Sequence, residues 1–359
     1  MDKTKQIEQL RKYVDKLNAH EGRFLFYVPD TKGRPSGWMT YIYMMAKAIA
    51  DSGRKVVMLT NTAKADFVGV GEWLGEDYAK LEHVNVNEGN FTINLTDFVF
   101  VPDNGTHIMD KLNEMRAPCK RIAIIQNIDE LCNSIGLGMQ IGDFGFTDVI
   151  TNSDLNASFI KSCFPYANIT VIKPELMPCF FNTGEPKKLI VTIVSSDQKY
   201  VEQIVKPFFW KHPELTWVSF RAVADIPKEL FASTLRESAI TIWCDDDTRF
   251  GYTPLEAMQC GSLVLAKIPN EPLGWINNDG SNVNCAYWFS NVEMCHGLLE
   301  KIIRDYITDG VQPEVYDMMK NTVSPYVDND LSGRCAKYSE GLEEVRKKQI
   351  TNEIERLSK

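Results

Sequence analysis

Residues 22–61 read GRFLFYVPDTKGRPSGWMTYIYMMAKAIADSGRKVVMLTN. From Arg23, RFLFYVP is an apolar run of strand length, DTKGRPSG is a loop rich in Gly, Pro and Lys, and WMTYIYMMAKAIADSG is long enough for a helix. Gly53 supplies the stop for that helix, and KVVMLTN is the next strand. Strand, glycine loop, helix and strand within about forty residues make a βαβ unit, and βαβ units imply a parallel sheet.

The same alternation extends outward. DFVFVPDNG, RIAIIQN, TDVITNS and ITVIKP are strands separated by helices such as THIMDKLNEM and DLNASFIKSCF. LMPCFFNTGEPKK then has two prolines, a glycine and no periodicity, which reads as a linker. A second α/β series follows through KLIVTIVSS, TWVSFRAV, AITIWCDDD and SLVLAKI. A length of 359 residues favours two domains. The expected boundaries are 1–178, a linker at 179–188, 189–325, and a C-terminal helical stretch at 326–359. The expected class is α/β, two Rossmann-like doubly wound domains facing across a cleft at the C-terminal ends of their strands.

Bulk properties exclude several classes. No run of about eighteen apolar residues occurs, so no spanning helix is expected. Nine cysteines without a C-x-x-C pair suit reduced thiols rather than a disulfide framework or structural zinc. A net charge of −9 and no Lys/Arg block argue against a stable nucleic-acid complex. The N-terminal stretch has no apolar signal core, which argues for a cytoplasmic protein. Ile7, Leu10, Val14 and Leu17 fall at helical spacing there. They imply a helix packed by one face, or, with Lys3, Lys5, Arg11, Lys12 and Lys16, one that touches a membrane surface.

The chemistry concentrates in WCDDDTRFGYTPLEAMQCGSLVLAKI, residues 243–268. A strand ends near Cys244, a polar loop follows, and a helix is expected with Thr253 as N-cap, Pro254 at its first position and Glu256 at its third. The free N–H groups and dipole of such a helix start favour an anion. Gly251 removes a side chain where a ligand would approach the backbone, and Arg249 offers a bidentate contact to phosphate. Thr253-x-x-Glu256 is equally a capping box that touches no ligand.

RFGYTPLEAMQCG resembles the donor-site signature of retaining GT-B glycosyltransferases of the family-4 type (group 1). The resemblance implies a glycosyltransferase using a nucleotide sugar such as a UDP-sugar, with retention of configuration, no metal or other cofactor, and an unidentified acceptor. It assigns Glu256 to the ribose hydroxyls, the backbone of Phe250 and Gly251 to the donor sugar, and the N–H groups of Tyr252 and Thr253 to the distal phosphate. Residues 22–61 resemble the family's opening strand, loop and helix, with Ser36 and Gly37 facing the cleft. Residues 147–176 resemble its serine-bearing strand and helix, with Ser153 as that serine. The C-terminal helix is expected to cross back to the first domain.

Three departures accompany the match. The family's first glutamate falls on Thr248 and the next glycine on Arg249, with Asp247 adjacent as a substitute carboxylate. The family's diphosphate-binding Arg falls on Ser195 or Ser196, leaving Lys199 as the candidate cation and Arg249 to compensate. The family's first-domain histidine has no plain counterpart, so Asn104, Gln126 and His107 are the candidates at the reacting centre. Asp245-Asp246-Asp247 also resembles an Asp-x-Asp metal motif of another glycosyltransferase fold. A nucleotide-sugar or glycan-binding protein on a decayed scaffold, and an epimerase or hydrolase, are the alternative activities.

Overall fold

The computed structural model describes residues 3–29, 36–61, 69–88, 91–245, 250–276, 283–327 and 329–359. It forms two compact units, Met1–Pro174 with Asp330–Lys359, and Glu175–Asn329. The first begins with α1 (Lys3–Asn18), β1 (Arg23–Val28), α2 (Gly37–Asp51), β2 (Lys55–Thr60), the short helices α3 (Gly69–Leu74) and α4 (Glu76–Ala79), and β3 (Glu82–Asn85). It continues through β4 (Phe98–Pro102), α5 (Thr106–Glu114), β5 (Lys120–Ile125), α6 (Ile128–Ser134), β6 (Asp148–Thr151), α7 (Asp154–Cys163) and β7 (Asn168–Val171). The second holds β8 (Lys188–Val194), α8 (Gln198–Lys211), β9 (Ser219–Val223), α9 (Lys228–Glu237), β10 (Ser238–Trp243), α10 (Tyr252–Gln259) and β11 (Leu263–Lys267). It closes with β12 (Tyr287–Phe289), α11 (Val292–Thr308) and α12 (Pro313–Val323), after which α13 (Leu331–Ser358) returns to the first unit.

The first sheet has the order β3-β2-β1-β4-β5-β6-β7 and is parallel throughout. Its central strands are buried on both faces, which is why RFLFYV and FVFVP are continuous apolar runs rather than alternating ones. In register across β1 and β4, Phe24 stacks on Phe98 at 4.7 Å and Phe26 on Phe100 at 4.2 Å. β3, with the sequence EHVN, lies at the edge and carries the polar residues an edge strand tolerates.

Two helices cover one another in this unit. α1 is half-buried along Ile7, Leu10 and Val14 and fully buried at Leu17, and it packs on α13. α13 also packs on α2. Glu343 of α13, 1% exposed, accepts from His20 Nδ1 at 2.8 Å and from Arg54 Nε at 3.3 Å. Arg334 donates to the Lys173 carbonyl at 2.7 Å, and Arg346 to the Leu95 carbonyl.

The second sheet has the order β12-β11-β10-β8-β9, again all parallel. Much of the segment read as a linker, 179–188, contributes to this unit: Cys179 and Phe180 are buried in its core. The nine cysteines are all free thiols. No described helix is long and apolar enough to cross a membrane.

Candidate donor site and the sheet edge of the first unit

A parallel sheet binds ligands at the C-terminal strand edge where its strand order reverses. In the second unit that point lies between β8 and β10. Two loops leave it, one into α8 and one into α10, and their helix starts are built differently. The Asp197 carboxylate caps α8, accepting from Lys199 N at 2.9 Å and Tyr200 N at 3.2 Å. α10 has Gly251 as its N-cap, so among the described residues no side chain caps its first turn. The helix whose first N–H groups are left for a ligand is therefore α10.

This start differs from the expected one. The helix begins at Tyr252, which puts Thr253 at the second position and Pro254 at the third rather than at the cap and the first. Gly251 replaces the threonine cap because its backbone is left-handed, with φ +70°. A Cβ there would meet Leu273 at 3.1 Å and Trp243 at 3.4 Å, so the missing side chain makes room for protein, not for ligand. The Gly251 carbonyl accepts from Trp275 Nε1 at 3.1 Å, which fixes the turn from its outer side. Phe250 is buried and packs against Tyr252 at 4.7 Å and Tyr326 at 5.6 Å. The helix ends in a Schellman turn, Ser262 N to the Ala257 carbonyl and left-handed Gly261 N to that of Met258.

Glu256 makes no capping box. Its side chain turns to α9, where Oε1 accepts from Lys228 Nζ at 2.5 Å. Glu256 is 3% exposed, and its Oε2 has no hydrogen-bond partner among the described residues. The Tyr252 hydroxyl is likewise buried and without a hydrogen-bond partner among them. Burial first, then the charge of Glu256, pushes the Tyr252 phenol well above its ordinary range, so it stays a neutral donor. Buried polar atoms are nearly always satisfied, which makes these two the candidate ligand-facing groups at the start of α10.

The expected cations separate. Lys199 is exposed on the first turn of α8. Ser195, which with Ser196 is a candidate for the arginine position that the resemblance implies, is engaged in a turn, its Oγ accepting from Asp197 N at 3.1 Å. Asp247, Thr248 and Arg249 lie outside the described residues, as does Asp246. Among the described residues no group of three His, Cys, Asp or Glu is placed to hold a metal. Two cations that sequence reading passed over stand at this edge: Lys228, and Lys267 at the end of β11, whose ammonium lies 5.3 Å from the Tyr200 ring. Lys228 precedes Glu256 by 28 residues, so no local motif joins them; only its place after a strand end was readable.

In the first unit the order reverses between β1 and β4. Ser36 caps α2 there, accepting from Met39 N at 3.3 Å, and Gly37 is its first residue. Past β4, the buried Asp103 carboxylate accepts from the backbone N–H groups of Asn104, Gln126 and Asn127 at 3.0, 2.8 and 2.6 Å. Burial outweighs those three donors and pushes the Asp103 carboxyl up to about 6. Asp103 thereby holds together the two candidates Asn104 and Gln126. Asn104 Oδ1 is buried without a hydrogen-bond partner among the described residues, whereas the buried Gln126 amide donates to the Trp38 carbonyl at 3.0 Å. His107 stands on the first turn of α5, its Nε2 2.8 Å from the Tyr27 hydroxyl, and burial lowers its pKa. Ser153 is buried as the cap of α7.

Two parallel Rossmann-like sheets with these helix connections are the GT-B glycosyltransferase fold. No protein-family model matches the sequence, and no curated protein matches it. Solved structures do match the fold. Sucrose-phosphate synthase from Thermosynechococcus elongatus superposes with a TM-score of 0.60 at 9% identity, over 89% of this chain and 99% of that one. A glycosyltransferase from Rickettsia africae gives 0.57 at 13% identity, over 90% and 98%. MnaA from S. aureus, in a co-structure with UDP, gives 0.53 at 11% identity, over 87% and 94%.

Proposed function

We propose that this protein is a retaining glycosyltransferase that binds a nucleoside-diphosphate sugar at the start of α10 and transfers the sugar to an acceptor. The observation that carries the reading is Glu256: among the described residues, a buried carboxylate with one oxygen unpartnered, one turn into a helix whose N-terminus no side chain caps. The carboxylate suits the ribose hydroxyls as donors, and the N–H groups of Tyr252 and Thr253 suit the distal phosphate. The UDP of the MnaA co-structure supports a nucleotide ligand for this fold.

In the proposed reaction the bond from the sugar's anomeric carbon to the phosphate oxygen breaks as the acceptor oxygen attacks from the same face. The departing diphosphate takes the acceptor's proton and is stabilised by the α10 dipole and by cations. No pair of catalytic carboxylates is then required. Lys199 and Arg249 are the proposed cations, Asp247 and Thr248 the proposed contacts near the donor sugar. Ser36 and Gly37 are further proposed donor-binding residues, and Asn104 and Gln126 are proposed catalytic ones; Asn104 is the stronger of that pair, since the Gln126 amide already serves Trp38. The apolar face of α1 is taken by α13, which leaves its lysines for any membrane contact.

The test is incubation with UDP-, GDP- and ADP-hexoses, following release of free diphosphate and, with product in hand, the anomeric configuration. Release with one donor is expected, and Glu256→Gln is expected to weaken binding of that nucleotide about tenfold or more. Thr248 in place of the glutamate, and Ser195 or Ser196 in place of the arginine, that the resemblance implies favour a second reading, a nucleotide-sugar binder without turnover. Tight nucleotide binding with no release from any donor would select that reading, and absence of both would remove the two together.

A further inference from the structure

We infer that Lys228 is a specificity-determining residue of the donor site, which with Glu256 sorts ribonucleotides from deoxyribonucleotides. The inference rests on the nucleotide reading above and adds to it a residue outside the RFGYTPLEAMQCG motif.

Lys228 opens α9, and its ammonium is held from three sides. Glu256 Oε1 lies at 2.5 Å, and the rings of Phe180 and Phe231 have their centres at 5.5 and 5.7 Å. The two charged side chains are 14% and 4% exposed. Drawing an ion pair this far from water is costly unless further hydrogen bonds satisfy both partners. Here they do not: the ammonium has three N–H donors, and among the described residues only Glu256 takes one. The second carboxylate oxygen has no donor among them at all.

A vicinal diol supplies what both partners lack. Each hydroxyl brings one O–H donor and two acceptor lone pairs. A carboxylate alone satisfies the donors and leaves the hydroxyl oxygens unserved. An ammonium bonded to the same carboxylate serves them. The pair also carries no net charge, so a carboxylate can stand in a site that takes a diphosphate. Removing one ribose hydroxyl would strip a donor from Glu256 and an acceptor from Lys228 in one step, inside a site too buried for water to replace either. Sites built to hydrogen-bond a hydroxyl reject the analogue lacking it far more strongly than apolar pockets reject a methylene.

The experiment is calorimetric titration of the full chain with UDP, GDP and ADP, then with the 2′-deoxy and 3′-deoxy forms of the one that binds tightest. Wild type is expected to favour the ribonucleotide about tenfold or more. Lys228→Met, which keeps the stem without the ammonium, is expected to reduce that ratio to about twofold or less, while Lys228→Arg keeps most of it. Should Lys228→Met fail to fold by thermal melting, Lys228→Gln decides on the same terms, because the readout is a ratio that lost stability alone does not change. An unaltered ratio in a folded variant, or a wild type indifferent to the deoxy forms, overturns the role of Lys228 and leaves the nucleotide reading standing. A wild type that binds none of the three nucleotides overturns both.

Discussion

At the scale of single residues, Asp103 braces the two strand ends that carry Asn104 and Gln126. Its carboxylate gathers three backbone N–H groups from two neighbouring strand ends, yet burial raises its pKa to about 6. An aspartate in the unfolded chain titrates near 4. Between those values the folded state holds more protons than the unfolded one, so the contribution of Asp103 to stability falls as pH rises from about 4 to 6 and is flat above. The fall amounts to roughly 3 kcal/mol. Carboxyl ¹³C shifts should show its midpoint near 6, and Asp103→Asn should remove the slope from denaturant titrations in this window. A midpoint near 4 would mean that the three N–H donors cancel the effect of burial. Where the resemblance implies a histidine without a plain counterpart here, Asn104, Gln126 and His107 are the candidates for the reacting centre. Sequence alone could not give Asp103, because a solvated loop aspartate and a buried one look alike until the neighbouring strand is in place.

At the scale of elements, the repeating strand and helix runs were readable because a parallel strand buried on both faces is a solid apolar block, as in FVFVP. β3 was not, since EHVN at a sheet edge has no such block. The elbow between β10 and α10 was legible in its residues and misread in its geometry. Local preference put the cap on Thr253, but Leu273, Trp243 and Trp275 hold Gly251 in the left-handed region and start the helix earlier. Two costs follow for Gly251→Ala: about 1–2 kcal/mol for the backbone region and a further 1–3 kcal/mol for crowding Leu273. Fluorescence of the flanking tryptophans during thermal unfolding should report a melting point lowered by several degrees. A variant melting within about one degree of wild type would show the elbow to be unstrained.

At the scale of the whole molecule, the first unit is discontinuous in sequence: Glu175–Asn329 form the second unit, and only then does α13 join α1 and α2. Ending the chain after Asn329 is therefore expected to injure the unit remote in sequence from the cut. It uncovers the packed faces of α1 and α2 and removes Glu343, the carboxylate partner of Arg54. Hydrogen exchange should quicken in α1 and α2 while β8 and β10 keep their protection; equal loss in both units would contradict this division. The same discontinuity orders events on the ribosome. The second unit is contiguous and emerges entire while the first still waits for its last helix, so nascent chains should gain a protease-resistant Glu175–Asn329 core before the first unit closes. Until α13 has emerged, the carboxylate partner of Arg54 is absent and the first unit lacks the helix that packs on α1 and α2.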